Sequence, residues 1–230
     1  MTPPAAESKT RAYSSPGRSA QAAATRRRIV TAAREHLLRD GFVAAAMSAI
    51  AADAGVSLPS VYKVFGNKAQ LAKAVVEDAL AGEGAVSAPE RAAEVSRSEP
   101  DPRRRLRAFG RFVAEVAPRV APLLIMIKAA ASAAPELLPV QQELDDERLA
   151  SMTRHARQLA ADGHLRPGLS VGRAADILWT YTAPDVFELL VIQRGWSTGY
   201  FAQWVAEAYI AALLEPTDGA GRSSSVGSGS

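Results

Sequence analysis

The chain has 230 residues, 48% of them hydrophobic, which is enough apolar surface for one large domain or two modest ones. It contains no cysteine, which excludes disulfides, thiolate metal sites and a cysteine nucleophile. The net charge of +3 is uneven: residues 1–80 carry eleven Lys and Arg against six Asp and Glu, and residues 81–230 carry sixteen against eighteen. The basic N-terminal third indicates a polyanionic partner, with solvated surface charge as the alternative.

Composition divides the chain into five parts. Residues 1–22 and 216–230 are rich in Pro, Ser, Ala and Gly without periodicity, which predicts an unstructured arm and tail. Residues 81–102, with two glycines and three prolines, are predicted to form a connecting loop. Residues 23–80 and 103–215 are rich in Ala, Leu, Arg and Glu and lack alternating strand patterns. An all-α protein of about nine helices is therefore expected.

The first twenty residues lack the apolar stretch of a secretory signal, and no run of about eighteen apolar residues occurs anywhere. We therefore expect a cytoplasmic protein with no membrane partner.

The basic third contains the pattern of a helix-turn-helix. A first helix is predicted over 26–39, where apolar residues recur every four positions before Gly41. A second, short helix stops at Gly55, after which Ser57 can cap a third helix with Pro59 in its first turn. Two short helices joined at a glycine turn are typical of this DNA-binding motif.

The third helix has few candidate core residues. Only Val61 and Phe65, at i and i+4, carry the spacing of a buried face. The positions left to point outward are Leu58, Pro59, Ser60, Tyr62 and Lys63. Beyond the helix, Asn67 is predicted to cap a fourth helix, with Gln70 able to complete a capping box.

The span DGFVAAAMSAIAADAGVSLPSVYKVFGNKAQLAKAVV resembles the DNA-binding domain of the TetR family of bacterial regulators. The features that carry the resemblance are Asp-Gly-Phe at the end of the first helix, Ile50-Ala51, Ala54-Gly55-Val56-Ser57, and Tyr62, Phe65 and Lys68. Two positions depart from the family pattern. Ala46 stands where a capping Thr is usual, so the capping hydroxyl and the phosphate contact of that Thr are absent or supplied by Ser48. Pro59 stands where Gly is frequent.

The resemblance implies roles for residues of this region. The third helix would lie in the major groove, Tyr62 would donate its hydroxyl to a phosphate, and Lys68 would add its ammonium to the anion site at the start of the fourth helix. Ser60 and Lys63 are predicted to reach base edges or the adjacent backbone. The predicted DNA-binding residues are Arg26, Arg27, Ser48, Ser57, Leu58, Pro59, Ser60, Tyr62, Lys63 and Lys68. A half-buried core position for Tyr62 and plain solvation for the lysines are the alternatives.

The run Arg26-Arg27-Arg28 lies at the start of the predicted first helix, where the helix dipole disfavours cations. Neighbouring phosphates would account for at least one of these arginines, and plain solvation is the alternative.

From residue 103 the sequence predicts helices over 103–117, 120–133, 137–163, 170–194 and 198–214. This succession resembles the ligand-binding and dimerisation domain of the same family, in a pattern common among actinobacterial-type members. The helix 170–194 is apolar on nearly every side, which predicts burial on more than one side. By the resemblance, it lines a ligand cavity and joins the last helix in a homodimer interface.

Two features of this region are candidates for ligand binding. Pro184 is expected to kink the helix 170–194 and to free the carbonyl of Thr180, with a kink for packing alone as the alternative. The predicted ligand-binding residues are Phe109, Phe112, Val116, Met126, Met152, His155, Trp179, Ala183 and Phe187. For each of these residues an ordinary core position is the alternative, and for His155, between Arg154 and Arg157, the alternative is a surface position.

The resemblance implies a ligand-responsive transcriptional regulator. The prediction is a repressor that binds a pseudo-palindromic operator in double-stranded DNA as a homodimer, through its last two helices, and releases it when a small, largely apolar effector binds. An activator or a ligand-independent regulator of the same fold is the alternative. The three histidines lack metal-ligand spacing, and no nucleophile motif or phosphate loop occurs, so we predict no enzyme activity, metal or cofactor.

Overall fold

The computed structural model describes residues 16–216, which contain helices and no β-strand. This confirms the all-α prediction. The ten α-helices of these residues are α1 (Pro16–Ala44), α2 (Met47–Asp53), α3 (Leu58–Phe65), α4 (Lys68–Ala81), α5 (Ala88–Ser98), α6 (Pro102–Ala130), α7 (Leu137–Ala161), α8 (Val171–Tyr181), α9 (Pro184–Phe187) and α10 (Thr198–Leu213). A π-helical turn, Glu188–Gln193, follows α9 directly. The chain divides into two compact units between Val75 and Val76, here called the head and the body.

Helix α1 is longer than predicted at both ends. It begins at Pro16 and so includes residues 16–22, which the sequence assigned to the unstructured arm; residues 1–15 lie outside the described range. It also continues to Ala44 across a kink at Gly41, whose φ of 74° is a conformation that side chains disfavour. The regular helix therefore ends at Gly41, as predicted, and a short helical segment continues to Ala44.

The core of the head is built from the predicted apolar positions. Helix α2 packs on α1 and α3 packs on α2, and the turn between α2 and α3 passes through Gly55 at a φ of 63°. The amide of Val56 closes this turn by donating to the carbonyl of Ala51, 3.0 Å away. The largest fully buried side chains of the head are Ile29, Leu37, Ile50 and Leu71.

The body contains a helix that the sequence analysis missed. The predicted loop 81–102 holds α5, which begins at a capping box: Ser87 accepts from the amide of Glu90, and the Glu90 carboxylate accepts from the amide of Ser87. Helix α5 packs on α6 and α7. Residues 81–102, predicted as a loop, therefore contribute a helix that packs against the rest of the body.

The predicted helices 103–117 and 120–133 are one helix, α6, which runs through Pro118 and Pro122. Helix α6 packs along α10, and α7 packs along α8. The crossing of α6 and α10 is very close at Gly110, where an added Cβ would lie 2.6 Å from the carbonyl oxygen of Ala202. The predicted helices 137–163 and 198–214 correspond to α7 and α10.

The predicted helix 170–194 is divided at Pro184 rather than merely kinked. Helix α8 ends at Tyr181, and α9 begins at Pro184, which has no amide to donate. The carbonyl of Thr180 accepts a hydrogen bond from the amide of Ala183 at 3.1 Å, so it is not left free.

The predicted tail 216–230 lies outside the described residues apart from Pro216. In the part of the chain that the structure describes, none of the helices has an apolar stretch long enough to cross a membrane.

Candidate functional site

The outward surface of α3 is the first candidate site. Val61 and Phe65 are buried, as their spacing predicted, while Pro59, Tyr62 and Lys63 are exposed. Tyr62 is 45% exposed, so its hydroxyl end is open to a partner rather than enclosed in the core. Val64 is 41% exposed and adds an apolar contact surface that the sequence analysis did not identify.

Helix α3 is held rigidly at its start. Ser57 caps it by accepting from the amide of Ser60, and the two hydroxyl oxygens lie 2.8 Å apart. Leu58 and Ser60 are half-buried beside this cap. The residues predicted to read bases therefore stand on a capped helix with fixed geometry.

Lys68 is packed against the end of α1 rather than extended into solvent. Its ammonium donates to the carbonyl of Val43 at 3.2 Å and lies 4.7 Å from the centre of the Phe42 ring. The amide of Gln70 is capped by the side chain of Asn67. Lys68 therefore ties α4 to α1, and this contact positions its charge at the start of α4.

The three arginines of α1 lie well inside the helix, because α1 begins ten residues before Arg26. The helix dipole acts only within the first turn, so it does not disfavour cations at these positions and gives no reason to expect phosphate neighbours. Arg26 lies over the ring of Phe65 at 4.6 Å, and Arg27 is exposed. The side chain of Arg28 lies close to Gly55, beside the turn that leads into α3.

The second helix begins without a side-chain cap, as its sequence predicted. Ala46 offers no capping oxygen, and no side-chain hydrogen bond replaces it. Ser48 is exposed in the first turn, and it does not take over the cap.

A buried histidine that the sequence analysis did not use anchors α2 to α1. His36 is 6% exposed, and its Nε2 lies 2.7 Å from a carboxylate oxygen of Asp53. Arg39 donates to Nδ1 at 2.7 Å, which leaves Nε2 to carry the proton donated to Asp53. This pair joins the two helices at the end of α2 away from its uncapped start.

The second candidate site is a cavity of about 200 Å³ in the body, between α5, α6, α7 and α8. Leu106, Phe109, Phe112, Leu159 and Leu178 make most of its wall apolar. Ala88, Ala92 and Ser96 of α5 close one side. The sequence signal for this wall was the Ser87-to-Glu90 capping box.

Three of the nine predicted ligand-binding residues line this cavity: Phe109, Phe112 and His155. The other six are not among its walls. Val116, Met152 and Phe187 are buried in the body. The remaining three, Met126, Trp179 and Ala183, are partly buried away from it. Sequence spacing could assign these residues to inward faces but not to one cavity.

His155 is an uncharged polar group in the cavity wall. Burial, together with the nearby Arg154 and Arg105, lowers the pKa of His155 to about 4. Its ring lies 4.8 Å from that of Phe109, and Nδ1 lies 3.4 Å from the Ser96 hydroxyl. At neutral pH it can exchange hydrogen bonds with a ligand but supplies no charge.

The division of the chain at Pro184 frees carbonyls at the end of α8, and side chains satisfy them. The hydroxyl of the fully buried Tyr209 donates to the carbonyl of Leu178 at 3.0 Å. Arg148 donates to the carbonyl of Trp179 at 2.6 Å, and its guanidinium lies 4.3 Å from the Trp179 ring. The broken helix is therefore fixed by α7 and α10.

Large apolar side chains are exposed towards the end of the chain. Leu189, Ile192 and Tyr200 are each more than half exposed. The Tyr200 ring lies 4.5 Å from that of Trp196. Apolar groups of this size, close together in sequence, are typical of a protein interface.

Comparison with known proteins identifies the head. Residues 29–75 match the family model described as bacterial regulatory proteins, tetR family. No curated protein matches the sequence.

Solved structures share the fold of most of this chain. NalD, the secondary repressor of the MexAB-OprM multidrug efflux pump in Pseudomonas aeruginosa, is 20% identical with a TM-score of 0.64, over 85% of this chain and all of NalD. The complex of SmeT with triclosan is 21% identical with a TM-score of 0.64, over 84% of this chain and 92% of that one. SmeT itself is the repressor of the Stenotrophomonas maltophilia multidrug efflux pump SmeDEF.

At these identities the structural likeness establishes the fold alone, and the family match covers residues 29–75 of the head. The matched segment contains the buried face of α1, the turn at Gly55 and the whole of α3. The head of this chain, over residues 29–75, thus matches the tetR family of bacterial regulatory proteins.

Proposed function

We propose that this chain is a ligand-responsive repressor. It binds a pseudo-palindromic operator as a homodimer and releases the operator when a small, largely apolar molecule occupies the cavity of the body.

The observation that carries the proposal is the outward surface of α3. A capped helix that buries only Val61 and Phe65 leaves its remaining side chains available to a major groove. Tyr62 can donate to a phosphate, while Ser60 and Lys63 can reach base edges or the adjacent backbone. Arg27 and Arg28 add exposed positive charge on α1.

Dimerisation is supported by the exposed apolar side chains near the end of the chain. Leu189, Ile192 and Tyr200 would lose water against a second copy, which is the driving force for a symmetric interface. A two-fold dimer presents two recognition helices about 34–36 Å apart, on successive turns of one face of the DNA. The operator is therefore expected to be a pseudo-palindrome.

The cavity supports a response to a small molecule. Its wall is largely apolar, with Ser96 and His155 as hydrogen-bonding groups, which suits an apolar body with few polar atoms. The SmeT–triclosan complex supports the same class of ligand in a protein of similar fold. A ligand that binds the DNA-competent state less tightly than the other state would lower operator occupancy.

The first experiment is selection of bound DNA from a random pool with the purified chain. We expect enrichment of a two-fold symmetric site that binds in the nanomolar range at physiological salt. Recovery of no sequence above the background would contradict DNA recognition by α3.

Variants then separate phosphate contacts from base contacts on the selected site. Tyr62→Phe should weaken binding to all sequences alike, whereas Lys63→Ala should change the preferred sequence, each by about 1–3 kcal/mol. Arg173→Ala, an exposed charge loss on α8, is the matched control and should leave both unchanged. A preference unaltered in Lys63→Ala would place base recognition elsewhere.

The response to ligand is tested by adding apolar compounds to the complex with the selected site. Release by a compound that also raises the melting temperature of the free chain supports a repressor. A compound that raises the melting temperature without changing operator affinity would contradict a ligand-responsive repressor and favour the ligand-independent alternative. A compound that tightens operator binding would favour an activator.

A further inference from the structure

The cavity of the body continues into a groove on the surface. Val95, Ala108 and Arg111 line both the cavity and the groove, so one opens into the other. The remaining groove residues are Ser98, Glu99, Arg104 and Arg107. A molecule longer than the cavity can therefore extend into the groove without leaving the protein surface.

The groove is strongly basic. Arg104, Arg107 and Arg111 recur at i, i+3 and i+7 of α6, which places them along one face of the helix. Three arginines against the single carboxylate of Glu99 give the groove an excess of two positive charges. The carboxylate of Asp101 lies 3.5 Å from Arg104 and partly offsets that residue, and it also attracts Arg107 electrostatically.

Arg107 and Arg111 are available to an incoming anion. Both side chains are exposed, and among residues 16–216 no carboxylate oxygen lies within 4.0 Å of either guanidinium. Arg111 faces the cavity as well as the groove. It therefore stands where an apolar ligand body would end.

The other charges of the cavity are already engaged. Arg91 pairs with Glu115 and donates to the carbonyl of Val86. Arg105 pairs with Asp162 at 2.7 Å and donates twice to the carbonyl of Glu99.

His155 supplies no charge either, because it is neutral at physiological pH. An anionic ligand group thus has no partner in the cavity wall apart from Arg111, and the cavity, at about 200 Å³, is smaller than most small-molecule sites.

We propose that the cavity and groove together bind an amphipathic acid, with its apolar chain beside Phe109 and its carboxylate on Arg107 and Arg111. Guanidinium groups bind carboxylates through paired hydrogen bonds, and the i, i+4 spacing of these two arginines allows both to contact one head group. The inference rests on the proposed function for the role of the cavity as the effector site, and it adds the chemical class of the effector.

The test compares octanoate with octanol by calorimetry on the free full-length chain, both below the concentration at which they aggregate. We expect octanoate to bind about ten-fold more tightly than octanol at low salt, since a charged hydrogen bond distinguishes them. High salt should reduce this preference because the groove is open to solvent. Equal affinities, or no binding of octanoate, would overturn the proposal.

Two substitutions locate the ligand. Arg111→Gln should abolish the preference for octanoate, because the affinity for octanoate falls to that for octanol, and Arg107→Gln should reduce the preference. Ala92→Trp, which fills the cavity, should weaken both compounds, and Arg173→Gln on α8 should affect neither. A preference that persists in Arg111→Gln, or octanoate binding that persists in Ala92→Trp, would overturn the assignment.

Release of DNA is measured separately. If octanoate binds as described but does not release the operator, the effector response of the proposed function fails while the binding site stands. If another compound releases the operator and octanoate does not bind, the ligand class is wrong and the proposed function stands.

Discussion

The contact between α6 and α10 at Gly110 allows a prediction in which two effects of known sign compete. Replacement by alanine favours the helix by about 1 kcal/mol, because glycine loses more backbone entropy in a helix interior. The new Cβ would lie 2.6 Å from the carbonyl oxygen of Ala202 and 2.9 Å from the Cβ of Ala206. Neither group is the flexible end of a long side chain, so the two helices must move apart.

Overpacking of a closely packed contact costs about 1–3 kcal/mol, and contact with a helix backbone belongs at the upper end of that range. Gly110→Ala is therefore expected to lower the free energy of unfolding of the body by about 2 kcal/mol after the gain in helix propensity. For a unit of this size the melting temperature should fall by about 4–8 °C.

The assay is thermal and urea unfolding followed by circular dichroism, with Gly172→Ala as the matched control. Gly172 lies in α8 with nothing within 4 Å of an added Cβ, so its replacement should be neutral or slightly stabilising. If Gly110→Ala is as stable as the control, the close approach of α6 and α10 does not limit stability and the reasoning is wrong.

Three further predictions concern buried polar groups. The lowered pKa of His155 means that between about pH 6.5 and 4 the unfolded chain binds a proton that the folded chain does not. The free energy of unfolding should therefore decrease by up to about 3 kcal/mol as the pH is lowered through this range. Urea unfolding at each pH should show this slope flattened in His155→Gln, and equal slopes would contradict it. His36→Ala should destabilise the head by about 2–4 kcal/mol and weaken operator binding, because α2 loses its link to α1, whereas Asp53→Asn, which keeps a hydrogen-bond acceptor, should cost about 1 kcal/mol. Equal losses of stability in His36→Ala and Asp53→Asn would show that charge, not packing, holds α1 and α2 together. Tyr209→Phe should cost only about 1 kcal/mol by chemical denaturation, since the Thr182 hydroxyl, 3.1 Å from the carbonyl oxygen of Leu178 and 3.0 Å from that of Trp179, can donate to Leu178 in its place; a loss above about 3 kcal/mol would show that it does not compensate.

Most of the head could be predicted from local sequence. The buried positions of α3 follow from the spacing of Val61 and Phe65, and the turn follows from Gly55 and the capping Ser57. The absence of a side-chain cap on α2 could also be predicted, from Ala46. These features depend on interactions within a few residues, which sequence spacing records directly.

The body was predicted less well where proline and glycine suggested boundaries. Pro118 and Pro122 lie inside α6, because packing against α10 and α7 outweighs the lost hydrogen bonds. The stretch 81–102 was assigned to a loop from its composition, although Ser87 and Glu90 carried the capping signal of α5. Pro184, by contrast, divides its helix, and the side chains of Tyr209 and Arg148 donate to the carbonyls of Leu178 and Trp179 in the last turn of α8.

The sequence by itself determined the helical class, the family of the head and the outward residues of α3, because each depends on short-range spacing. Tertiary structure alone decided which apolar residues line one cavity, which arginines are already paired and how His36 joins two helices. Those properties depend on side chains brought together from distant positions, such as Ser96 and His155 or Arg105 and Asp162. Spacing along one helix gives the face on which a residue lies, but the residue opposite that face is fixed only when the helices pack.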